Sequence, residues 1–185
     1  YKDLDVLEFW KLFDSVSVGA SLDASGPRGE LMRKGTDWDQ ACRNRERMLK
    51  ICPGVDFYVS PTLSLMNSLH VPDFHREWID RGFLRHLDLN INILQGPNYY
   101  RIDALTPDLK QQVKEKYLEH IDYIEPHDPL TRATNGFKSA IQFMEATDNT
   151  PLLPEFNRVM TRLDGIRDES FYNVFPELKE LEQYV

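Results

Sequence analysis

The stretch VSVGASLDASGPRGELMRKG, residues 16–35, alternates apolar and small polar residues and then passes into a charged, glycine-rich segment. Side chains of a β-strand point alternately to its two faces, so this alternation predicts a strand with one apolar and one polar face. Two further segments repeat the pattern, at residues 55–63 and 87–93. The chain therefore contains three predicted strands of the same two-faced kind.

Helical periodicity fills the intervals between these strands. Trp38, Cys42 and Met48 form an apolar stripe after the first strand, Phe74 and Trp78 form one after the second, and a long amphipathic helix follows the third. Strands that alternate with helices predict a parallel sheet. The segment GPRG at 26–29 lacks the spacing of a phosphate-binding loop and is predicted to be a turn.

The two-faced strands indicate what kind of parallel sheet this is. Parallel strands covered by helices on both faces are usually apolar throughout, whereas these alternate. We predict an α/β fold in which a parallel strand–helix repeat forms part of a TIM-like (β/α) half-barrel around a polar lumen, followed by a helical C-terminal tail. A sheet with one solvated face explains the alternation equally well. The predicted parts are residues 1–126 and 127–185, and one edge of the sheet is expected to meet further strands.

Charge, hydropathy and cysteine content indicate which partners and which cellular location to expect. Its formal net charge is −8, whereas nucleic acids and anionic membranes are bound by clustered lysine and arginine, so we expect neither as a partner. No apolar run approaches the ~20 residues of a membrane span, and a cytoplasmic location is predicted. Cys42 and Cys52 are expected to be free thiols. Because the chain begins with Tyr1 rather than methionine, we expect it to be a fragment.

Several segments resemble, in the same order along the chain, enzymes of the radical S-adenosylmethionine family that carry a twitch domain. They correspond to the family's fourth, fifth and sixth strands, the connections after them, and the end of its twitch-containing members. These segments are SLD at 21–23 with Arg33, Gly35 and TDW at 36–38, SPTLSLMN at 60–67, NINILQGP at 90–97, YYRIDALTP at 99–107, LDGIRDESF at 163–171 and FPEL at 175–178. The match covers most of the chain.

The resemblance implies a partial barrel in which a 4Fe-4S cluster and S-adenosylmethionine meet at the strand ends, giving a 5'-deoxyadenosyl radical that abstracts a hydrogen atom from substrate. By family position, Ser21 would hydrogen-bond the cofactor and Arg33 would pair with its carboxylate. Leu63 would pack on adenine, Asn67 would meet polar groups nearby, and Asp23 is a further candidate. The implied partners are a small-molecule or peptide substrate and a reductase or ferredoxin-type electron donor.

The cysteine count departs from the family pattern. The family holds its cluster with three thiolates of a CxxxCxxC loop, whereas this chain has only Cys42 and Cys52. The cluster ligands are therefore expected outside this chain, and the chain alone is not expected to be active. The alternative is a non-catalytic half-barrel that serves as a binding or interaction module. A small hydrolase with a carboxylate pair is a third hypothesis.

Two groups that contain histidine are candidate metal sites. One is His70 and His75 with Glu77, and the other is residues 125–128 with His120 and Asp122. His120 lies on the apolar stripe of its predicted helix, which favours a buried core histidine, and residues 125–128 favour a solvated turn. Neither spacing matches a zinc pattern, so no metal ligand is predicted.

Overall fold

The computed structural model describes residues 5–184. Residues 1–4 and Val185, the outer ends of the predicted parts 1–126 and 127–185, lie outside the described residues. The described chain is mixed α/β and mostly helical, with two small parallel sheets. The predicted class, α/β with parallel strands, is confirmed at that level.

Helices account for most of the secondary structure. The α-helices of residues 5–184 are α1 Val6–Trp10, α2 Gly26–Met32, α3 Trp38–Ile51, α4 Val71–Asp80, α5 Pro107–Ile124, α6 Arg132–Ala146, α7 Leu153–Arg167 and α8 Phe171–Val174. Short 3-10 helices are Asn98–Tyr100, Ile102–Ala104, Glu125–His127, Thr150–Leu152 and Pro176–Gln183. The strands are β1 Ser17–Ala20, β2 Asp56–Val59, β3 Thr62–Leu63 and β4 Asn92–Ile93. No helix in residues 5–184 combines the length and the apolar character needed to cross a membrane.

The strands lie side by side, parallel and in chain order. β1 pairs with β2 over its full length, and β3 pairs with β4. A parallel bridge between Val59 and Leu89 links the two pairs. There the Val59 N–H donates to the carbonyl of Asp88, and the Asn90 N–H donates to the carbonyl of Val59, both at 2.9 Å. Because β2 and β3 follow one another along a single line of the chain, the four strands together form one continuous surface that is three strands wide.

The observed strands are shorter than the three predicted segments. Pro61 separates β2 from β3, because proline has no N–H to donate to a neighbouring strand. Its carbonyl still accepts from the Asn92 N–H at 2.9 Å, so the ladder continues on one side of the break. Of the predicted segment 87–93, Leu87 lies in a turn, Leu89 forms the single bridge to Val59, and only Asn92–Ile93 is a strand.

The sheet has the two faces that the alternation predicts. On one face Val59, Leu63 and Leu89 are completely buried. The other face is hydrophilic, and its exposed residues are Ser17, Gly19, Ser21, Asn90 and Asn92. Tyr58 also lies on this hydrophilic face, and its ring passes so close to Gly19 that a Cβ there would come within 2.8 Å of the ring. A glycine at position 19 is what allows the ring to lie across β1.

Helices and their aromatic side chains cover the apolar face. Trp78 of α4 stacks on Phe57 of β2 with 6.4 Å between ring centroids. At the other end of the sheet, α6 approaches so closely that a Cβ at Gly136 would lie 3.2 Å from the side chain of Ile91. Each large apolar side chain buried in this way stabilises the fold by about 1.5–3 kcal/mol. The burial of the apolar face fixes which side of the strands remains open.

Side chains at the helix ends explain where α1 and α5 begin. The Asp5 side chain accepts from the Leu7 N–H at the start of α1, and Thr106 accepts from the Leu109 N–H at the start of α5. The prediction for residues 26–29 was wrong, because these residues begin α2 rather than form a turn. Pro27 lies in the first turn of that helix, where its missing N–H costs nothing.

A pair of histidines joins α4 to α5 inside the core. His75 Nδ1 and His120 Nε2 are 3.0 Å apart, and the two side chains are 0% and 3% exposed. Burial lowers the pKa of His75 to about 3, and the neighbouring His120 and His86 add to this effect. Burial also lowers the pKa of His120 to about 4, to which Arg76 contributes while Asp73 opposes it. Both imidazoles are therefore neutral at pH 7.

We expect the histidine pair to make folding stability depend on pH. An unfolded histidine has a pKa of about 6.5, so below that pH the unfolded chain binds protons that the folded pair does not. Stability is therefore complete above pH ~6.5 and falls as pH decreases, by about 1.4 kcal/mol per pH unit for each histidine. Urea unfolding at pH 7.5, 6 and 5 measures this slope. The His75→Gln/His120→Gln double variant should lessen the slope without abolishing it, because burial also lowers the pKa of His70 to about 4. Exposed His127→Gln is the control and should leave most of the slope, and an unchanged slope in the double variant contradicts the assignment.

Candidate functional site

The residues predicted to bind a cofactor lie around the carboxyl ends of β1 and β3. Asp23 follows β1, Arg33 ends α2, and Asn67 lies between β3 and α4. Carboxyl ends of parallel strands are the usual place for a ligand in α/β folds. The structure brings these three side chains into one hydrogen-bonded network.

The centre of this network is the carboxylate of Asp23, which is 6% exposed. Its Oδ2 accepts from Arg33 Nε at 2.6 Å, and its Oδ1 accepts from Arg33 Nη2 at 3.3 Å. Oδ1 also accepts from the backbone N–H of Thr62 at 2.7 Å. A buried carboxylate is costly unless it is paired and hydrogen-bonded, and here both conditions are met. Asp23 therefore fixes the end of α2 against the start of β3.

The Arg33 side chain keeps part of its binding capacity. It is 41% exposed, and Asp23 occupies only its Nε and Nη2 edge. Its Nη1 makes no hydrogen bond to any group in residues 5–184. A ligand carboxylate could bind this remaining side of the guanidinium while Asp23 holds the other, because the group has five donors in a fixed plane.

Asn67 is saturated by the protein itself. Its Nδ2 donates to the carbonyls of Asp23 at 2.8 Å and Thr62 at 3.1 Å. Its Oδ1 accepts from the Ser64 N–H at 2.8 Å and from the Ser64 hydroxyl at 3.3 Å. Two donors and two acceptors are all that an amide side chain has. With 0% exposure, Asn67 ties the strand ends together, and a ligand would have to displace one of these bonds to reach it.

The remaining two predicted residues lie on opposite faces of the sheet. Ser21 is exposed on the hydrophilic face, and its hydroxyl makes no hydrogen bond within residues 5–184, so it is available to a ligand. Leu63 is 0% exposed and belongs to the apolar core. Its side chain is not brought to the hydrophilic face, and the predicted contact with adenine would require it to leave the core.

Hydrophilic side chains continue the site along the open face of the sheet. Asn92 Nδ2 donates to the hydroxyl of Ser60 at 2.9 Å, and Asn90 Nδ2 lies 3.4 Å from the same oxygen. Sequence reasoning did not foresee Thr62 and Ser64 as members of the network. Their shortest bonds in the network come from backbone N–H groups, which carry no signature in the residue type.

The alternative metal groups do not assemble. Within residues 5–184, no three His, Cys, Asp or Glu side chains are arranged to hold an ion. Asp128 was wrongly expected in a solvated turn, since it is 1% exposed and caps α6. Its oxygens accept from the N–H groups of Arg132 at 3.2 Å and Thr134 at 2.9 Å. His120 is buried, as its apolar stripe predicts.

The two cysteines are free, buried thiols that serve the fold. Cys52 Sγ donates to the carbonyl of Leu7 at 2.8 Å, and Arg81 donates to Cys42 Sγ at 3.3 Å. Burial raises the pKa of the Cys42 thiol, although the charge of Arg81 opposes the shift. Both thiols therefore act as small core residues rather than as exposed ligands.

One sizeable cavity lies away from the sheet. It measures about 930 Å³ and is lined by residues of α7, α8 and the 3-10 helix Pro176–Gln183, among them Met160, Arg162 and Tyr172. Its volume would suit a small ligand. Since none of the residues that line it belongs to the sheet or to the Asp23 network, this cavity is not part of the predicted cofactor site.

We expect Asn67→Leu to destabilise the protein by about 2–4 kcal/mol, because four buried partners lose their bonds at once. Asn67→Asp should also destabilise it, since a carboxylate would face the carbonyls of Asp23 and Thr62. Chemical denaturation measures both effects. The control Asn44→Leu, on the exposed face of α3, should change stability by less than about 0.5 kcal/mol. Equal, small losses at positions 67 and 44 would show that Asn67 does not hold the strand ends.

Comparison of the chain with protein-family models, with curated proteins and with solved structures gave no match. The functional interpretation therefore depends on the geometry of the site and on the resemblance of its segments.

Proposed function

We propose that this chain is the carboxyl-terminal part of a radical S-adenosylmethionine enzyme of the twitch-containing type, with its three-stranded surface forming part of a half-barrel. The observation that carries the proposal is Arg33, held by Asp23 at the carboxyl ends of the strands with one side of its guanidinium free. The parallel strand order and the open hydrophilic face support the half-barrel. The substrate would be a small molecule or a peptide.

In this proposal the residues of the chain bind and orient the cofactor. Arg33 would accept its carboxylate in a charge-assisted, planar contact, and Asp23 would keep the guanidinium from turning away. The free hydroxyl of Ser21 would form a further hydrogen bond from the hydrophilic face. If bound and reduced by one electron, S-adenosylmethionine would be cleaved to methionine and the 5'-deoxyadenosyl radical that abstracts hydrogen. Arg33 and Ser21 would hold the cofactor at the hydrophilic face of the sheet.

The residues present do not fit a 4Fe-4S cluster. Such a cluster is held by cysteine thiolates, whereas Cys42 and Cys52 are buried and engaged with Arg81 and Leu7. The cluster would therefore come from strands that pair with the edge of β1 that has no partner strand in residues 5–184. Exposed apolar side chains in the segment that precedes β1 support a covering partner on this part of the chain, namely Val6, Phe9, Leu12 and Phe13. A reductase or ferredoxin-type protein would supply the electron.

The alternative function is a non-catalytic half-barrel that serves as a binding or interaction module. The observation that favours it is the same engagement of both thiols in the core. In that case the Asp23 network would be purely structural, and no cofactor would be cleaved.

The test uses the protein encoded by the full reading frame, produced without oxygen, reconstituted with iron and sulfide, and assayed for release of 5'-deoxyadenosine. We expect Arg33→Gln to weaken binding of S-adenosylmethionine about 10–100-fold, which corresponds to loss of a charge-assisted contact. Arg33→Lys keeps the charge that Asp23 requires but loses the planar guanidinium. Its affinity for S-adenosylmethionine should lie between those of the wild type and Arg33→Gln.

The matched control is Arg158→Gln, which removes a highly exposed arginine from α7. It should leave cofactor affinity unchanged. Thermal unfolding of every variant separates a binding defect from a folding defect. Product release by Arg33→Gln at the normal rate and normal cofactor dependence would contradict the clamp, and no product from the reconstituted wild type would favour the interaction module.

A further inference from the structure

Ser25 and His70 meet where two strand-to-helix connections end. Ser25 lies between β1 and α2, His70 lies between β3 and α4, and both side chains are half-buried. The hydroxyl oxygen of Ser25 is 2.9 Å from His70 Nε2, and the Ser25 backbone N–H donates to the same nitrogen at 3.2 Å. A hydroxyl within hydrogen-bond reach of an imidazole is the arrangement of a nucleophile and its base.

The start of α2 does not explain the orientation of this hydroxyl. Ser25 occupies the N-cap position of α2, where a serine oxygen usually accepts from a backbone N–H of the first turn. Here the side chain makes no such bond and contacts His70 instead. Because a serine cap stabilises a helix by about 1 kcal/mol, the contact with the imidazole replaces a favourable local one.

The backbone contact also fixes the state of the imidazole. Because the Ser25 N–H donates to Nε2 of His70, that nitrogen carries a lone pair, and the proton of the neutral ring is on Nδ1. The hydroxyl therefore donates to Nε2 as well. Burial lowers the pKa of His70 to about 4, and the charge of Arg28 adds to this effect. At pH 7 the ring is thus neutral and able to take up the hydroxyl proton.

His70 lines a cavity of about 610 Å³. The charged side chains of its wall are Arg28, Lys116, Asp73, Glu115, Glu119 and Glu177. Both cations are matched, since Arg28 donates to Glu177 at 2.8 Å. Lys116 in turn donates to Asp73 at 2.6 Å. Glu115 forms no ion pair within residues 5–184, and Glu119 only approaches Arg76 at 4.0 Å. The wall therefore has an excess of negative charge and favours a ligand that carries a cationic group.

We propose that Ser25 and His70 form a catalytic dyad that hydrolyses a small ester bearing a cationic group. The Ser25 oxygen attacks the carbonyl carbon while its proton passes to His70 Nε2, and the intermediate then expels the alcohol, which takes that proton. Water next attacks the acyl-serine and gives a proton to Nε2. The bond between the acyl group and Ser25 breaks, the serine oxygen recovers the proton, and the carboxylic acid leaves.

This activity does not depend on S-adenosylmethionine. Ser25 follows Asp23 by two residues and His70 follows Asn67 by three, so the buried network holds the two connections that carry the dyad. Such support fixes the distance over which the proton is transferred. Within residues 5–184 no group hydrogen-bonds to His70 Nδ1. The dyad therefore lacks the orienting carboxylate of a serine triad, and we expect a slow reaction.

The experiment mixes the chain of 185 residues rapidly with p-nitrophenyl p-guanidinobenzoate in one arm and with neutral p-nitrophenyl benzoate in the other. We expect the cationic ester to give a burst of about one p-nitrophenol per chain, with the acyl group mapped to Ser25 by peptide mass spectrometry. The burst with the neutral ester should be about five- to tenfold slower. Ser25→Ala should abolish the burst. His70→Gln, whose amide oxygen can still accept from the Ser25 N–H, should slow it about 100-fold.

Ser139→Ala is the matched control, because Ser139 is an exposed serine on α6. It should react as the wild type does, and thermal unfolding checks the fold of every variant. If His70→Gln unfolds, Ser25→Ala decides the outcome, since it keeps the backbone bond to His70. An undiminished burst in Ser25→Ala, no burst in the wild type, or acylation of another residue would overturn the dyad, and equal rates with the two esters would overturn the substrate class. Failure here leaves the deoxyadenosine assay unaffected, so the two proposals are tested separately.

Discussion

A single buried carboxylate organises the end of the sheet at which a ligand would bind. Asp23 receives donors from the end of α2 and from the backbone of β3, while Asn67 binds the carbonyls on either side of the same junction. Because a charge removed from water must be matched, these elements cannot separate independently. The position of Arg33, the exposure of Ser21 and the course of β3 all depend on this one group.

Residue patterns predicted the parts of the fold that local chemistry controls. Period-two alternation identified the faces of the strands, since this effect acts within a few residues. The lengths of the strands were not predictable in the same way, because they depend on contacts between distant segments. The only bridge between the two strand pairs in residues 5–184 joins Val59 to Leu89, and Pro61 interrupts the pairing between β2 and β3. The Gly26–Pro27 pair was misread, since these residues suit a turn and a helix start equally well. The Asp23–Arg33 pairing needed the intervening helix to be known.

The hydrophilic face of the sheet stays open because the helices pack on the other face. Helices bury the apolar rows of the sheet, so the side chains left on the other face are hydrophilic, among them Ser21, Tyr58 and Asn92. Gly19 deepens this contrast by letting Tyr58 lie across its neighbour.

The histidine pair between α4 and α5 also has a practical consequence for handling the protein. The isoelectric point of the sequence is near 5.1. At that pH His75 and His120 are still neutral in the folded protein but take up protons when it unfolds, so the free energy of unfolding is lower than at pH 7. Repulsion between molecules disappears at the isoelectric point. Acidic elution or isoelectric focusing would therefore reduce both the repulsion between molecules and the stability of the fold. Turbidity near that pH would then reflect unfolding as well as the loss of surface charge.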